Sequence, residues 1–228
     1  MPFRFAPSRK HLILAALIAG CGAVLYSVLT RLGFVMPLRD LPAVLCLPSC
    51  SAQAALHPAL NPAALPETQP SLAAKLGPDI DPEKISLLVE KSAHRLTVFY
   101  DLKPIKSYPV VFGSAPEGDK FREGDRKTPE GIYRVRDLYP HPAWSKFIWL
   151  DYPNPQSWRE HFQAKWAGQI SPWATVGSEI GIHGVPAGQD GLIAKRNNWT
   201  WGCVSLKNAD VDELYGVIDQ GTVVEIVP

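Results

Sequence analysis

The sequence predicts a mainly β domain over residues 83–228, with one or two short helices, carried behind an N-terminal membrane segment. Three observations carry that prediction. Short alternating or continuous apolar runs, bounded by Gly, Pro, Asn or Asp, recur from Lys84 to the C-terminus. Only two stretches, Ser157–Trp166 and Ala209–Val217, keep a helical period. Leu12–Thr30 is an uncharged run of 19 residues closed by Arg31.

At ~1.5 Å per residue that run is just long enough to cross a bilayer. Arg4, Arg9 and Lys10 precede it, which leaves the N-terminus in the cytoplasm and exports the rest. Residues 1–31 therefore read as a signal anchor or export signal. Two processing alternatives stay open. Ile18-Ala19-Gly20-Cys21 has the form of a lipoprotein cleavage box, although the residues after Cys21 stay apolar where a polar tether is usual. Ala52-Gln53-Ala54 is a small-x-small site far from the apolar run. All three readings export the domain.

Residues 32–82 are rich in Pro and Ala, and many of the 22 prolines fall between Pro37 and Pro82. Prolines forbid long helices, and no strand alternation is present. The segment reads as a tether, with a short helix around Ser71–Leu76 as the alternative.

The elements of the domain follow in order. Lys84–Glu90 and Arg95–Tyr100 are strands around the turn Lys91–His94, and Ile105–Phe112 is a third, which begins an antiparallel meander. Gly113–Gly131 is a polar, Gly-rich loop. Ile132–Leu138 and Lys146–Asp151 return as strands, and Tyr152-Pro153-Asn154 stops the second. In the Ser157–Trp166 helix, Trp158, Phe162 and Trp166 fall at i, i+4 and i+8. Ile180–Gly184 and Cys203–Leu206 are short buried strands. Asn208 is placed to cap the helix that follows, and Thr222–Val227 is the last strand.

Composition narrows the chemistry. The chain is 46% hydrophobic with a net charge of +1, which excludes a disordered chain and gives no electrostatic footprint for nucleic acid. No cysteine has zinc-ligand spacing, so no metal is expected. Cys21, Cys46 and Cys50 lie near the N-terminus, whereas Cys203 stands alone in the domain. Sixteen residues separate His183 from Thr200, and Thr200-Trp201-Gly202-Cys203 follows. A lone cysteine with a histidine on a neighbouring segment is the minimum set for a thiolate nucleophile. A free thiol is mostly protonated at neutral pH and needs a base. His183 can take the proton and return it. Gly202 allows a tight turn before the nucleophile.

Lys127–Tyr133 (KTPEGIY), Leu150–Asn154 (LDYPN), Ile182–Gly184 (IHG) and Thr200–Cys203 (TWGC), in this order, resemble the L,D-transpeptidase (YkuD-like) catalytic family. The likeness covers about Lys84–Val227. It implies an L,D-transpeptidase-like β-sandwich or barrel and a periplasmic or cell-wall enzyme that acts on peptidoglycan stem peptides without a cofactor; the N-terminal apolar run adds the expectation of a tether to the inner membrane. It implies Cys203 as nucleophile, His183 as base and the Gly184 carbonyl as the group that orients His183. The backbone amides of Trp201 and Gly202 then face the oxyanion. Thr200, Ser205, Tyr152, Trp166 and Arg196 are the candidate substrate-binding residues, with Trp166 in an insert that forms a lid in the family.

Two positions depart from the commonest pattern. Trp201 stands where His or Arg is usual, and Ser205 where Arg or Asn often follows the cysteine by two. They leave three outcomes open: transfer, as crosslinking or attachment of a lipoprotein to the wall; hydrolysis by a thiol amidase or carboxypeptidase; and a non-catalytic wall-binding module. A monomer is expected.

Overall fold

A computed structural model describes residues 9–47, 55–58, 60, 70–77 and 80–228. The small-x-small site at Ala52–Ala54 lies outside the described residues. The strands are β1 (Ile85–Glu90), β2 (Arg95–Tyr100), β3 (Lys103–Pro109), β4 (Gly131–His141), β5 (Ser145–Leu150), β6 (Gly181–His183), β7 (Val204–Ser205) and β8 (Val223–Val227). The helices are α1 (Arg9–Arg31), α2 (Leu41–Val44), α3 (Leu72–Leu76), α4 (Pro155–Trp166), α5 (Gly191–Ala194) and α6 (Asn208–Tyr215). The strands form one curled sheet in the order β3-β2-β1-β8-β4-β5-β6-β7.

The meander β1-β2-β3 is antiparallel as expected. The last strand is the surprise. β8 inserts between β1 and β4, parallel to β1 and antiparallel to β4. That insertion makes β1 central. Its run Ile85–Val89 is buried on both faces, which is why the sequence there is nearly continuous in apolar residues. Ile85, Leu87 and Val89 face the main core with Leu96, Val98, Tyr133, Ile148, Ile182, Val224 and Ile226.

The described parts of the expected tether, residues 32–82, contact the domain at several points. Val176 N–H donates to Gly33 O at 3.1 Å. Arg159 Nη2 donates to Ala43 O at 2.8 Å, and Val44 joins the main core. The outer face of β1 is covered by His57, whose ring lies 4.4 Å from that of Phe99. His57 Nδ1 is 2.7 Å from Glu225 Oε2, and Nε2 is 2.8 Å from Ser86 Oγ. The N–H groups of Leu56 and His57 donate to the two carboxylate oxygens of Glu225, each at 2.9 Å. A buried carboxylate is tolerable only with such partners. The helix weighed at Ser71–Leu76 forms as α3, with Ser71 Oγ accepting from Ala74 N. Leu72 is fully buried there. Each apolar anchor removed from water contributes ~1.5–3 kcal/mol.

The two longer helices of the domain form where their period places them, with two corrections. In α4, Asn154 caps Ser157 N and Pro155 opens the first turn. Trp158 is buried and Phe162 packs on the core, but Trp166 is 95% exposed. Eight residues on, an α-helix has rotated roughly 80° away from the starting direction, outside the buried stripe. Asn208 does not cap α6. Lys207 holds the cap position without a side-chain bond, and Asn208 Oδ1 accepts from Val185 N at 3.0 Å.

Candidate active site

The site is built on two short parallel strands. β6 pairs with β7 in the register Ile182↔Val204 and His183↔Ser205. Cys203, the residue just before β7, therefore falls beside Gly181, two residues short of His183 in the register. The connection between them contains α5, which the sequence did not announce. It encloses a small core of Val111, Val185 and Ile193, with Leu192 and Trp199 against it.

The TWGC turn is clamped from both sides. Thr200 N donates to Phe112 O, and Ser205 and Val111 exchange backbone hydrogen bonds at 2.8 and 3.0 Å. Gly202 has φ of +141°, and a Cβ there would stand 2.7 Å from Lys127 O and 2.9 Å from Ile180 Cδ1. Only glycine fits. Lys127 opens the KTPEG stretch, and Thr128, its buried neighbour, accepts from Gly113 N at 3.1 Å. The Gly-rich loop thus lies directly under the cysteine turn, and that packing explains why the two motifs occur together.

His183 is buried, and its Nδ1 is 2.7 Å from Gly184 O. Trp144 stacks on the imidazole at 4.4 Å, Phe147 at 5.8 Å, and Trp199 meets it edge-on at 5.6 Å. Burial in this cage pulls its pKa down to about 4, opposed by the Gly184 bond and assisted by His141. Gly184 is itself confined: a Cβ would stand 2.1 Å from Asn208 Oδ1 and 2.5 Å from Trp144 O.

Cys203 is half-buried and a free thiol. Its Sγ–H donates to Glu179 O at 3.5 Å. Glu179 is held at φ +59°, unusual for a residue with a side chain. Burial pushes the Cys203 thiol up to about 11; the Gly181 N–H and Lys120 pull it down, and the Glu179 charge raises it. At neutral pH the resting pair is a neutral thiol and a neutral imidazole.

The other candidate residues divide. Thr200 is buried. Its Oγ1 donates to Cys203 O at 2.7 Å and accepts from Gly202 N at 3.2 Å, so it locks the turn rather than facing a substrate. The Gly202 amide expected at the oxyanion is engaged there. Ser205 is fully buried, with Oγ donating to Gly184 O at 3.1 Å; it too is withdrawn from any ligand. Tyr152 is a core residue whose OH donates to Val176 O. Trp201 is 75% exposed, with the Arg126 guanidinium 5.4 Å from its ring centre. Arg196 is exposed, and its charge acts on His94. Sequence reasoning missed Trp144, Trp199, Asn208 and Glu179 as parts of the site. An aromatic-rich stretch around Trp144 was the only signal available for any of them.

Fold and site together define a β-rich protein with a cysteine and a histidine on adjacent parallel strands. The family model described as the L,D-transpeptidase catalytic domain matches residues 84–226. The chain belongs to that family. Among solved structures it is similar to Bd1075 of Bdellovibrio bacteriovorus, at 24% identity over 70% of this chain and 51% of that one, with a TM-score of 0.46. It is similar to the helical cell shape determining protein Pgp2 of Campylobacter jejuni, at 25% identity over 65% and 49%, with a TM-score of 0.46. An L,D-transpeptidase of Mycobacterium smegmatis is 16% identical over 64% and 59%, with a TM-score of 0.39. The chain spans about half the length of the first two of these proteins. No curated protein matches it in sequence.

Proposed function

We propose that the protein is an exported, cysteine-dependent L,D-transpeptidase acting on peptidoglycan stem peptides from the outer side of the inner membrane. The observation that carries this reading is the hydrogen bond from His183 Nδ1 to Gly184 O. A carbonyl only accepts, so Nδ1 carries the proton and Nε2 keeps a free lone pair. Neutral His183 is therefore a base of defined direction on the strand next to Cys203.

Cys203 Sγ attacks the carbonyl carbon of the bond to the terminal residue of a tetrapeptide stem, and the thiol proton passes to His183 Nε2. Backbone N–H groups of the Trp201–Cys203 turn meet the oxyanion, an interaction worth ~3 kcal/mol per donor in other enzymes. The Gly202 N–H joins them only by leaving Thr200 Oγ1. The C–N bond breaks, Nε2 protonates the leaving amine, and a thioester remains. An acceptor amine then attacks the thioester. Its proton goes through Nε2 to the departing sulfur, restoring the thiol. Because thiol and imidazole both rest neutral, proton transfer accompanies attack instead of preceding it.

Export is supported by α1, whose 23 residues are long and apolar enough to cross a membrane and are unburied. It is also supported by the disulfide at Cys46, a bond of oxidising compartments. The test is the full chain in detergent with tetrapeptide muropeptides, products read by mass. Crosslinked dimers with loss of the terminal residue support transfer. Tripeptides alone would replace it with hydrolysis. Unchanged turnover by Cys203→Ala would overturn the cysteine mechanism.

A further inference from the structure

We infer that the loop 171–176 is a bilayer seat, in which Trp173 enters the lipid headgroup layer and sets the height of the active site above the membrane. This rests on α1 remaining attached as a membrane-spanning helix.

The end of α1 is capped. Gly33 N donates to Thr30 O and Phe34 N to Leu29 O, with Gly33 at φ +73°. That pair of bonds around a left-handed glycine is a Schellman stop, which fixes the exit direction of the chain. The next residues return along the helix. Tyr26 OH accepts from Leu38 N at 2.6 Å and donates to Met36 O at 3.3 Å. Tyr26 is about 7–8 Å before Arg31 along the axis, so Leu38 lies level with the last turns of α1. Phe34 and Leu38 are both exposed there.

Gly33 is bound to the domain by its carbonyl, which accepts from Val176 N. A Cβ on Gly33 would stand 3.5 Å from Val176 Cγ1 and 3.6 Å from Thr175 Cβ. Trp173 is three residues before Val176 and 83% exposed. Three residues span at most about 11 Å, and the headgroup layer is roughly 5–8 Å thick on each side. An indole tied that closely to the end of a membrane helix falls at the depth tryptophan favours, with its apolar body in lipid and its N–H toward water. The lipid interface fits better than a protein partner because the loop is joined directly to the end of an apolar helix.

The seat connects to the site. Thr175 O accepts from Glu123 N at 2.9 Å, and Glu123 belongs to the Gly-rich loop that carries Lys127 under Gly202. Bilayer, loop and cysteine turn are thus linked by short covalent and hydrogen-bonded steps.

The test uses the full chain in phosphatidylglycerol/phosphatidylcholine nanodiscs. Trp173→Cys, in a Cys21→Ser/Cys203→Ser background, carries an environment-sensitive fluorophore. Lipids bear a nitroxide on the headgroup or low on the acyl chain. The seat predicts about twofold quenching by the headgroup nitroxide and little by the deep one. Leu17→Cys in the same background should show the reverse order. Adding Gly33→Val, a β-branched residue that cannot easily hold φ +73°, should abolish quenching at 173 and leave it at 17. Quenching at 17 without quenching at 173 overturns the seat. Loss at both overturns the anchor on which it rests. Trp173→Ser should keep turnover of soluble muropeptides unchanged, so the seat and the chemistry fail separately.

Discussion

His183 Nδ1 lies 2.7 Å from the carbonyl oxygen of Gly184, its own neighbour in the chain. Both residues are closely packed where the bond is made. Trp144, Phe147 and Trp199 enclose the ring, and Asn208 and Trp144 leave no room for any residue but glycine at 184. The Nδ1 proton is thereby committed to Gly184 O, and the lone pair of the neutral ring lies on Nε2.

The ionisation of the pair sets the pH dependence. With His183 down to about 4 and Cys203 up to about 11, acylation of Cys203 by a carbapenem should hold a broad plateau. Its acid limb should lie near pH 4 rather than near the ordinary 6.5, and intact mass against pH reads it. A limb near the ordinary value would mean that the imidazole is not desolvated as described. Stability follows the same group. Between about pH 6.5 and 4 the unfolded histidine binds a proton that the folded one refuses, so stability falls as pH falls through that window. His94 and His161, also lowered by burial, add to the slope with the same sign.

Glu179 acts on the thiol through charge. After burial, its carboxylate is what holds the Cys203 pKa up. Glu179→Gln should lower that pKa and speed alkylation by iodoacetamide at pH ~8 by about 2–5-fold. An unchanged rate would place the carboxylate too far from the sulfur to matter.

Glu160 carries a different linkage. Burial first, and the neighbouring Asp119 charge, push its carboxyl up to about 7, against a Gln156 hydrogen bond that lowers it. The folded chain keeps a proton that the unfolded chain has released above its ordinary range. Stability is therefore complete below about pH 4.5 and is lost as pH rises to 7. Glu160→Gln should stabilise the protein at pH ~8 by about 1 kcal/mol, given screening of a half-exposed group, and raise Tm by roughly 2–4 °C. The gain should vanish near pH 4.5. Melting curves at the two pH values check both signs.

The stapled segment is measurable at His57. His57→Ala removes the ring from Phe99 and takes one partner each from Ser86 and Glu225, leaving a buried carboxylate with fewer donors. A loss of about 2–4 kcal/mol is expected by denaturant unfolding. Glu225→Gln in the His57→Ala background should recover part of it. No loss at all would mean that the segment does not stay on β1.

Much of this molecule was legible in the chain because its signals are local. Alternation placed β2, an apolar run placed β1, the i, i+4 spacing of Trp158 and Phe162 placed α4, and an uncharged run marked α1. Cys203 and His183 stood out as a pair because spacing along the chain brings them to neighbouring segments. What escaped depends on groups distant in sequence. Nothing near Val223 says that β8 will lie parallel to β1, since a parallel register is set by partners far away in the chain. Asn208 looked like a cap and became the support of Val185. Trp166 shared a helical spacing with Trp158 and Phe162, yet the drift of the helix turns it to solvent. Ser205 and Thr200 looked able to meet a ligand and are closed off by Gly184 and Cys203. The neutral state of the thiol and imidazole is the clearest case. Desolvation is a property of the packed surroundings, and around His183 those come from Trp144, Phe147 and Trp199, which only folding gathers there.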